Sequence, residues 1–531
     1  MRKIIYSIAL TGSMFLIAGC DKDFVEINTN PYAVTSIDPG LLLAGAQRSF
    51  NGTGWETENT IVQQFVNPFN AGATEGPNFN ADIDNFNNAR WEASYVGTAP
   101  LNNPTTGGLK NLVQALANLN GNSNAVNLRS MIRIWKAYAY MGLVDTYGDV
   151  PYFDAGKAYT DGIFYPKYDD DAAIYEDLEK ELREATAALD PAGDYVSADL
   201  FFGQRAAIPI STVAPQVAQW KKLGNSLLLR LGMRYSKVNA TKAQALVTEA
   251  FNGGVMTSND DNVFVKYDGT IATNVANVNL VNNNPRFYYV AEPFVNQLKT
   301  TNDPRSRFIV AKFADPNSPL GDANPDLTPA NQFGVPVGVL SDALASAPYR
   351  GTRGGGYDYS QLNVRTVASL TAPTFWVTYS QTSLLLAEAA KRGWIPGGDG
   401  AAQSYYEAGI IADIDSYTQY PNSSSVSGAD KTAYLSDPAV AYNATDALEL
   451  IATQYWISNI TMGTEAWANF RRTGFPVLSP NLFNNNLSGG FIRRLSYPDY
   501  ESSNNNSNYA AAVQAIGGSD NLTTRVFWDT P

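Results

Sequence analysis

The chain has 531 residues, 44% of them apolar and 16% charged, which is the balance of a folded globular protein and excludes disorder of the whole. A formal charge of −13 repels phosphate backbones and makes nucleic acid a poor partner, while the complete absence of histidine rules out Ser-His-Asp and Cys-His catalysis, His-ligated metals and imidazole proton shuttles. A single cysteine, Cys20, leaves no intrachain disulfide and no thiolate cluster, so the chemistry still open is a carboxylate pair, a Lys- or Ser-based site, or oxygen-ligated calcium.

Residues 1–20 begin with Arg2 and Lys3, continue with an apolar run from Ile4 to Ile17, and end in small residues before Cys20. That is the pattern of a secretory signal, too short for a membrane span. Its ending, Ile17-Ala18-Gly19-Cys20, resembles a bacterial lipobox, which implies that residues 1–19 are removed and Cys20 is acylated. The following Asp21-Lys22-Asp23 resembles the surface-export signal of Bacteroidetes lipoproteins. No later run reaches membrane length, so the expected anchor is lipid, in the outer membrane and facing the exterior.

From Asp38 the periodicity predicts helices near 38–50, 57–66, 88–98, 107–119 and 126–147, with a polar, aromatic-studded loop between the second and third. In Leu128 to Phe153, apolar and small residues recur at three- and four-residue steps while Arg129, Arg133 and Lys136 follow them on another face. That charged face suits either solvent or a docking partner. Gly148 and Pro151 end the helix in the turn DTYGDVPY, where Asp145, Tyr147 and Asp149 are expected to hydrogen-bond the corner. Asp169, Asp170 and Asp171 read as a helix cap rather than a metal site, and Trp91 and Trp135 as core. Residues 217–238 and 241–251 form a predicted helix pair. Between 255 and 375 helical periodicity fades, and short alternating pieces such as Val263 to Tyr267 suggest small strands in a long irregular insertion. Helical pattern returns at 378–393, 400–417, 445–459 and 463–471. The small residues Ala387, Ala390, Gly393, Ala402 and Ala408 resemble those of a tetratricopeptide hairpin.

Five motifs in order, LVDTYGDVPY (143–152), Asp303-Pro304-Arg305, AWANFRRTGFPVL (466–478), RRLSYPDYE (493–501) and RVFWD (525–529), resemble the signatures of the SusD/RagB family, the surface lipoproteins that Bacteroidetes pair with a TonB-dependent outer-membrane transporter. The similarity runs from Cys20 to the end. One departure is Gln381, where the family's usual pattern carries a glutamate. The resemblance implies a mainly α fold: a tetratricopeptide-like helical-hairpin scaffold with a long irregular insertion containing short strands. It divides the chain into a signal peptide (1–19), an N-terminal helical part (20–254), a loop-rich candidate ligand region (255–375), and C-terminal tetratricopeptide-like helices with a tail (376–531). It also implies a non-enzymatic function, capture of a nutrient glycan or oligosaccharide and delivery to a SusC-like transporter barrel. Peptide capture, as by RagB-like members, is the alternative, and a carboxylate-dependent glycoside hydrolase a lesser one.

Sugars are recognised by flat aromatic faces together with amides, carboxylates and guanidinium groups that bond hydroxyls, on loops held by a rigid scaffold. Two stretches offer that mixture. Gly52 to Phe86 supplies Trp55, Phe79, Asn80, Asp82 and Phe86; PYRGTRGGGYDYSQLN (348–363) supplies Arg350, Arg353, Tyr357, Asp358 and Tyr359. Each has an alternative reading, the aromatics as loop anchors and the arginines as braces to carboxylates or carbonyls. Gly354 to Gly356 lacks the Lys-Ser/Thr of a phosphate loop. Asp315, Asn317, Asp322, Asn324 and Asp326 form a possible calcium-binding run, although their spacing is not that of an EF-hand. No catalytic residue and no metal ligand is assigned.

Overall fold

Helix α3 (Val126–Tyr147) shows how the sequence builds this architecture: Met131, Ile132, Ile134, Trp135, Ala137, Tyr140, Leu143, Val144 and Tyr147 are all buried, so its apolar side meets protein over six turns. It stops where the pattern predicts, at Gly148, whose φ of 76° only glycine adopts without strain while its N–H caps the Val144 carbonyl at 2.9 Å. In this computed structural model the described residues are 37–49, 57–69, 87–96, 107–203, 210–481, 483, 487 and 490–531.

The other long helices are α1 (Pro39–Ser49), α2 (Gly108–Asn118), α4 (Asp171–Ala188), α5 (Val213–Arg234), α6 (Ala240–Gly253), α7 (Glu292–Thr300), α8 (Tyr379–Lys391), α9 (Gly398–Ser416), α10 (Ala447–Ser458), α11 (Gly463–Thr473) and α12 (Asn506–Ala515). They pack largely as neighbouring pairs, α1 on α2, α3 on α4, α5 on α6, α8 on α9 and α10 on α11, with α4 on α5 and α8 on α10 joining pairs. Small residues set the closeness of two of them. A Cβ on Gly232 of α5 would lie 2.9 Å from Leu246 Cβ of α6, and one on Gly409 of α9 would lie 2.8 Å from Leu384 of α8. Pro39–Pro531 forms one compact unit.

The stretch 255–375 is largely irregular. It holds α7 and all or part of four antiparallel two-stranded pairings. Phe65–Val66 (β1) pairs with Tyr289–Val290 (β3), and Val263–Val265 (β2) with Thr374–Val377 (β8). Val310–Ala311 (β4) pairs with Gln361–Leu362 (β7), and Thr352–Arg353 (β5) with Gly356–Tyr357 (β6).

Three local expectations are corrected. The helix read over 57–66 is only one turn, Glu58–Ile61, because Gln63 takes a φ of 55° with its amide on the Ser479 carbonyl, and the chain then enters β1. The helix read over 88–98 is a short α segment, Ala89–Trp91, running into a π-helical turn, Glu92–Val96. The charged face of α3 is half-buried and makes its contacts within the chain. Arg133 pairs with Glu181 and Glu184 of α4 at 2.8 and 2.7 Å, Lys136 lies 5.0 Å from the Tyr152 ring centroid, and Arg129 donates to the Leu119 and Asn122 carbonyls.

The end of α3 gathers the chain's distant motifs. Asp145 accepts from Tyr175 (2.5 Å), Trp528 Nε1 (2.9 Å) and Arg234 (3.1 Å), and Arg471 donates to its carbonyl. Arg494 donates to the Tyr147 carbonyl at 3.0 Å and to Asp520 at 2.6 Å. Arg305 of the Asp-Pro-Arg step, fully buried, binds Asp303, Asp413, Tyr434 and Gln454. These motifs are buried charge anchors, which explains their residue types: a guanidinium can satisfy several acceptors at once where no water reaches. Gln381 closes a capping box with Thr378 and accepts from Arg230 at 2.5 Å, while Arg230 finds its charge partner in Glu465 at 3.6 Å.

Candidate functional site

The hairpin β5–β6 turns at Gly354 and Gly355. Gly354 has a φ of 50°, and a Cβ there would lie 2.7 Å from Asp315 Cα; one on Gly356 would lie 2.5 Å from the Tyr289 hydroxyl. The three glycines therefore let the hairpin lie flat against residues 315–317 and β3. Asp315 receives the Gly355 N–H at 2.7 Å, and the Tyr289 hydroxyl receives the Tyr357 N–H at 2.9 Å.

Tyr357 ends β6, and a tight turn closed by the Tyr359 N–H on the Tyr357 carbonyl at 2.8 Å follows it; both rings turn inward to a cluster with Val66, Tyr289, Val335 and Leu344, leaving them 8% and 4% exposed. The charged residues stay at the rim. Asp358 is held by Lys312 at 2.6 Å, Arg350 at 2.8 Å and Arg353 at 3.4 Å, and Arg353 also donates to the Phe313 carbonyl at 2.6 Å. Burial pushes the Asp358 carboxyl up, but its bonds to Lys312 and Arg350 outweigh that and hold it below the usual range. Arg350 stacks on Phe333 with 3.5 Å to the ring centroid, and Lys299 lies 3.9 Å from that centroid.

The two candidate stretches meet here. Phe69, at the end of the described part of the first, stacks on Tyr357 at 5.2 Å and lies 4.8 Å from Phe287. The Pro68 carbonyl accepts from Ser341 N–H at 2.9 Å. Arg286 completes the group: its guanidinium lies 5.6 and 5.3 Å from the Phe69 and Phe287 centroids, and its Nε is buried with no hydrogen-bond partner among the described residues. Sequence reasoning missed Arg286, Phe287, Phe69 and Phe333, because the stretch RFYYV reads as the approach to a helix; the signal available was an arginine beside three aromatics. Trp55, Phe79, Asn80, Asp82 and Phe86 lie outside the described residues, as does Cys20.

Elsewhere, the oxygens of the calcium-like run serve turns. Asp315 accepts from Asn317 N–H, Asp322 from Ala314 and Asn324 N–H, and Asp326 from Thr328 N–H and the Asn331 amide. A tighter carboxylate group, Asp149, Asp170 and Asp171, lies at the start of α4. Asp170 caps Ala173 N–H as expected, Asp149 accepts Asp171 N–H, and Asp171 accepts Phe527 N–H, so each has a structural bond. Burial, reinforced by the Asp149 charge, pushes the Asp171 carboxyl up to about 7.

A mainly helical scaffold of paired helices thus carries a braced loop platform edged by arginines and aromatics. The chain belongs to the SusD-like family described as starch-binding and associating with the outer membrane, which it matches over residues 31–498. Among solved structures it is similar to a chitin-binding protein, with 29% identity, 93% of this chain and 100% of that chain covered, and a TM-score of 0.76. A SusD homolog from Bacteroides uniformis shares the fold at 24% identity, with 93% and 99% covered and a TM-score of 0.71. So does a chitin-binding SusD homolog from Flavobacterium johnsoniae, at 22% identity, with 93% and 98% covered and a TM-score of 0.69. A search of curated proteins gives no match.

Proposed function

We propose that this protein is a cell-surface lipoprotein, anchored through Cys20, that captures an oligosaccharide and passes it to a partner TonB-dependent transporter. The observation that carries the reading is the half-buried Arg286, whose guanidinium lies against Phe69 and Phe287 in the aromatic group that also holds Tyr357. Guanidinium groups fixed next to aromatic faces suit the hydroxyls and flat CH faces of a sugar ring. The 29% identity to a chitin-binding protein makes chitin-derived oligosaccharides the first ligands to try, with starch-derived ones second.

In this reading Arg286, Arg350, Arg353 and Asp358 touch the ligand, Tyr357 and Tyr359 support them from below, and Trp55, Phe79, Asn80, Asp82 and Phe86 are the further ligand contacts to test. The test is titration of the soluble chain from Asp21 onward with chitohexaose and maltohexaose. Arg286→Ala with Arg353→Ala should weaken binding by roughly ten-fold or more, since hydrogen bonds from a charged group contribute about 1.5–3 kcal/mol. Unchanged affinity would remove this platform from the site, and binding to oligopeptides alone would turn the reading to peptide capture.

A further inference from the structure

A groove of about 410 Å³ opens between α2, the loop 151–166 and the turn at Glu501–Asn504, and it shares no lining residue with the hairpin platform. Its floor includes Trp91 and Tyr140, 2% and 1% exposed, with Tyr95 edge-on to Trp91 at 4.9 Å. Its lining also includes three aromatics that stand out in solvent: Tyr159, Phe164 and Tyr165 are 88%, 71% and 69% exposed. Large rings gathered this way on one short loop are unfavourable in water unless something covers them. The loop approaches α2 through Gly156, with a φ of 73°, where a Cβ would come within 3.2 Å of Val113.

Besides its tyrosines, the polar residues lining the groove are Lys110, Gln114, Glu501, Asn504 and Asn505, one cation and one acidic group among amides. Its walls are fixed. Glu501 accepts from the Tyr168 hydroxyl at 2.8 Å, the Asn505 amide donates to the Pro166 carbonyl at 2.8 Å, and the Tyr95 hydroxyl donates to the Pro151 carbonyl at 2.5 Å. The buried Tyr140 hydroxyl makes no hydrogen bond of good geometry among the described residues, and the Tyr95 hydroxyl interacts with it.

We propose that this groove is a second carbohydrate site, taking a short, uncharged run of pyranose rings from the same glycan that the hairpin platform holds. Its volume falls in the range of small-molecule clefts, about 300–1,000 Å³. Its aromatic walls suit the CH faces of the sugar, its amides and carboxyl suit the hydroxyls, and its balanced charge gives no preference for an anion. A flat protein surface would cover the rim and leave the floor unfilled. The inference rests on the glycan-capture reading but uses different residues, and two sites on one chain multiply retention of a polymer by effective concentration.

The experiment titrates the full mature chain with chitohexaose and maltohexaose and measures retention on insoluble chitin and starch. It compares wild type, the rim variant Tyr159→Ala/Phe164→Ala/Tyr165→Ala, and the platform variant Arg286→Ala/Arg353→Ala. The rim residues are solvent-exposed, and the single variant Tyr159→Ser serves if the triple variant fails to fold. Two classes of site in wild type, one in each variant, and at least a ten-fold loss of polymer retention in the rim variant are expected. A wild type with one class of site that the rim variant leaves unchanged would overturn the groove and leave the platform standing. Failure of wild type to bind either probe would overturn both readings. Unchanged glycan binding with weakened association to the transporter would overturn the groove and mark the rim as a docking face.

Discussion

Asp145 receives bonds from α4, α5 and the C-terminal tail, and its neighbour Glu465 receives Arg234 at 2.6 Å, so two carboxylates hold together helices that are far apart in sequence. Glu388 does the same on α8, with Arg472 at 2.6 Å and Arg392 at 2.8 Å. Burial would raise both glutamates, but the arginines outweigh it and hold each at about 2. Because the folded value lies below the ordinary 4.5, these groups contribute stability that is complete above pH 4.5 and is lost as pH falls toward 2. The urea midpoint should therefore drop steeply over that window. Glu388→Gln should lower the unfolding free energy at pH 7 by about 3–5 kcal/mol for breaking one side of a buried pair, and should flatten part of the acid slope. An acid profile identical to wild type would contradict this account.

At the scale of elements, what could be read in the sequence was what depends on local pattern. Both ends of α3 follow from the apolar repeat and the Gly148 stop, and the hairpin α8–α9 from its small residues. The one-turn helix at Glu58–Ile61 was not readable, because its end is set by the Ser479 carbonyl and by pairing with Tyr289 and Val290, hundreds of residues away. The candidate loop was readable in composition but not in direction. Two tyrosines two apart do not say which way they point: the tight turn at Asp358 brings both rings onto the core, and the bracing role already open for Arg350 and Arg353 finds its partners, with Lys312 and Phe333 beside them, only in the fold. The small residues of α8–α9 support a direct test. Gly409→Ala forces a methyl against Leu384 and should cost about 1–3 kcal/mol. Gly400→Ala, on the same helix with nothing within 4 Å, should be neutral or stabilising by up to about 1 kcal/mol. Thermal denaturation of the pair checks both signs.

For the whole molecule, the buried arginine network leaves little room for parts to unfold separately. Asp145, Arg234, Glu465 and Arg230 join α3, α5 and α11, and Arg471 and Arg494 join the tail to the end of α3. Calorimetry should show one cooperative transition for Pro39–Pro531; two separated transitions would mean that the network does not couple the parts. The irregular stretch 255–375 is no exception, since Arg305 anchors it to Asp413 of α9 and Gln454 of α10.

That integration bears on how the hairpin meets a ligand. With Asp358 bonded to three cations, Gly355 bonded to Asp315 and Tyr357 to Tyr289, the loop has already lost its conformational freedom when the chain folds. On the proposed reading, capture needs no ordering step, so the heat-capacity change of binding reflects only the sugar and platform faces removed from water, and selectivity comes from a fixed template rather than from a surface that adjusts to each guest.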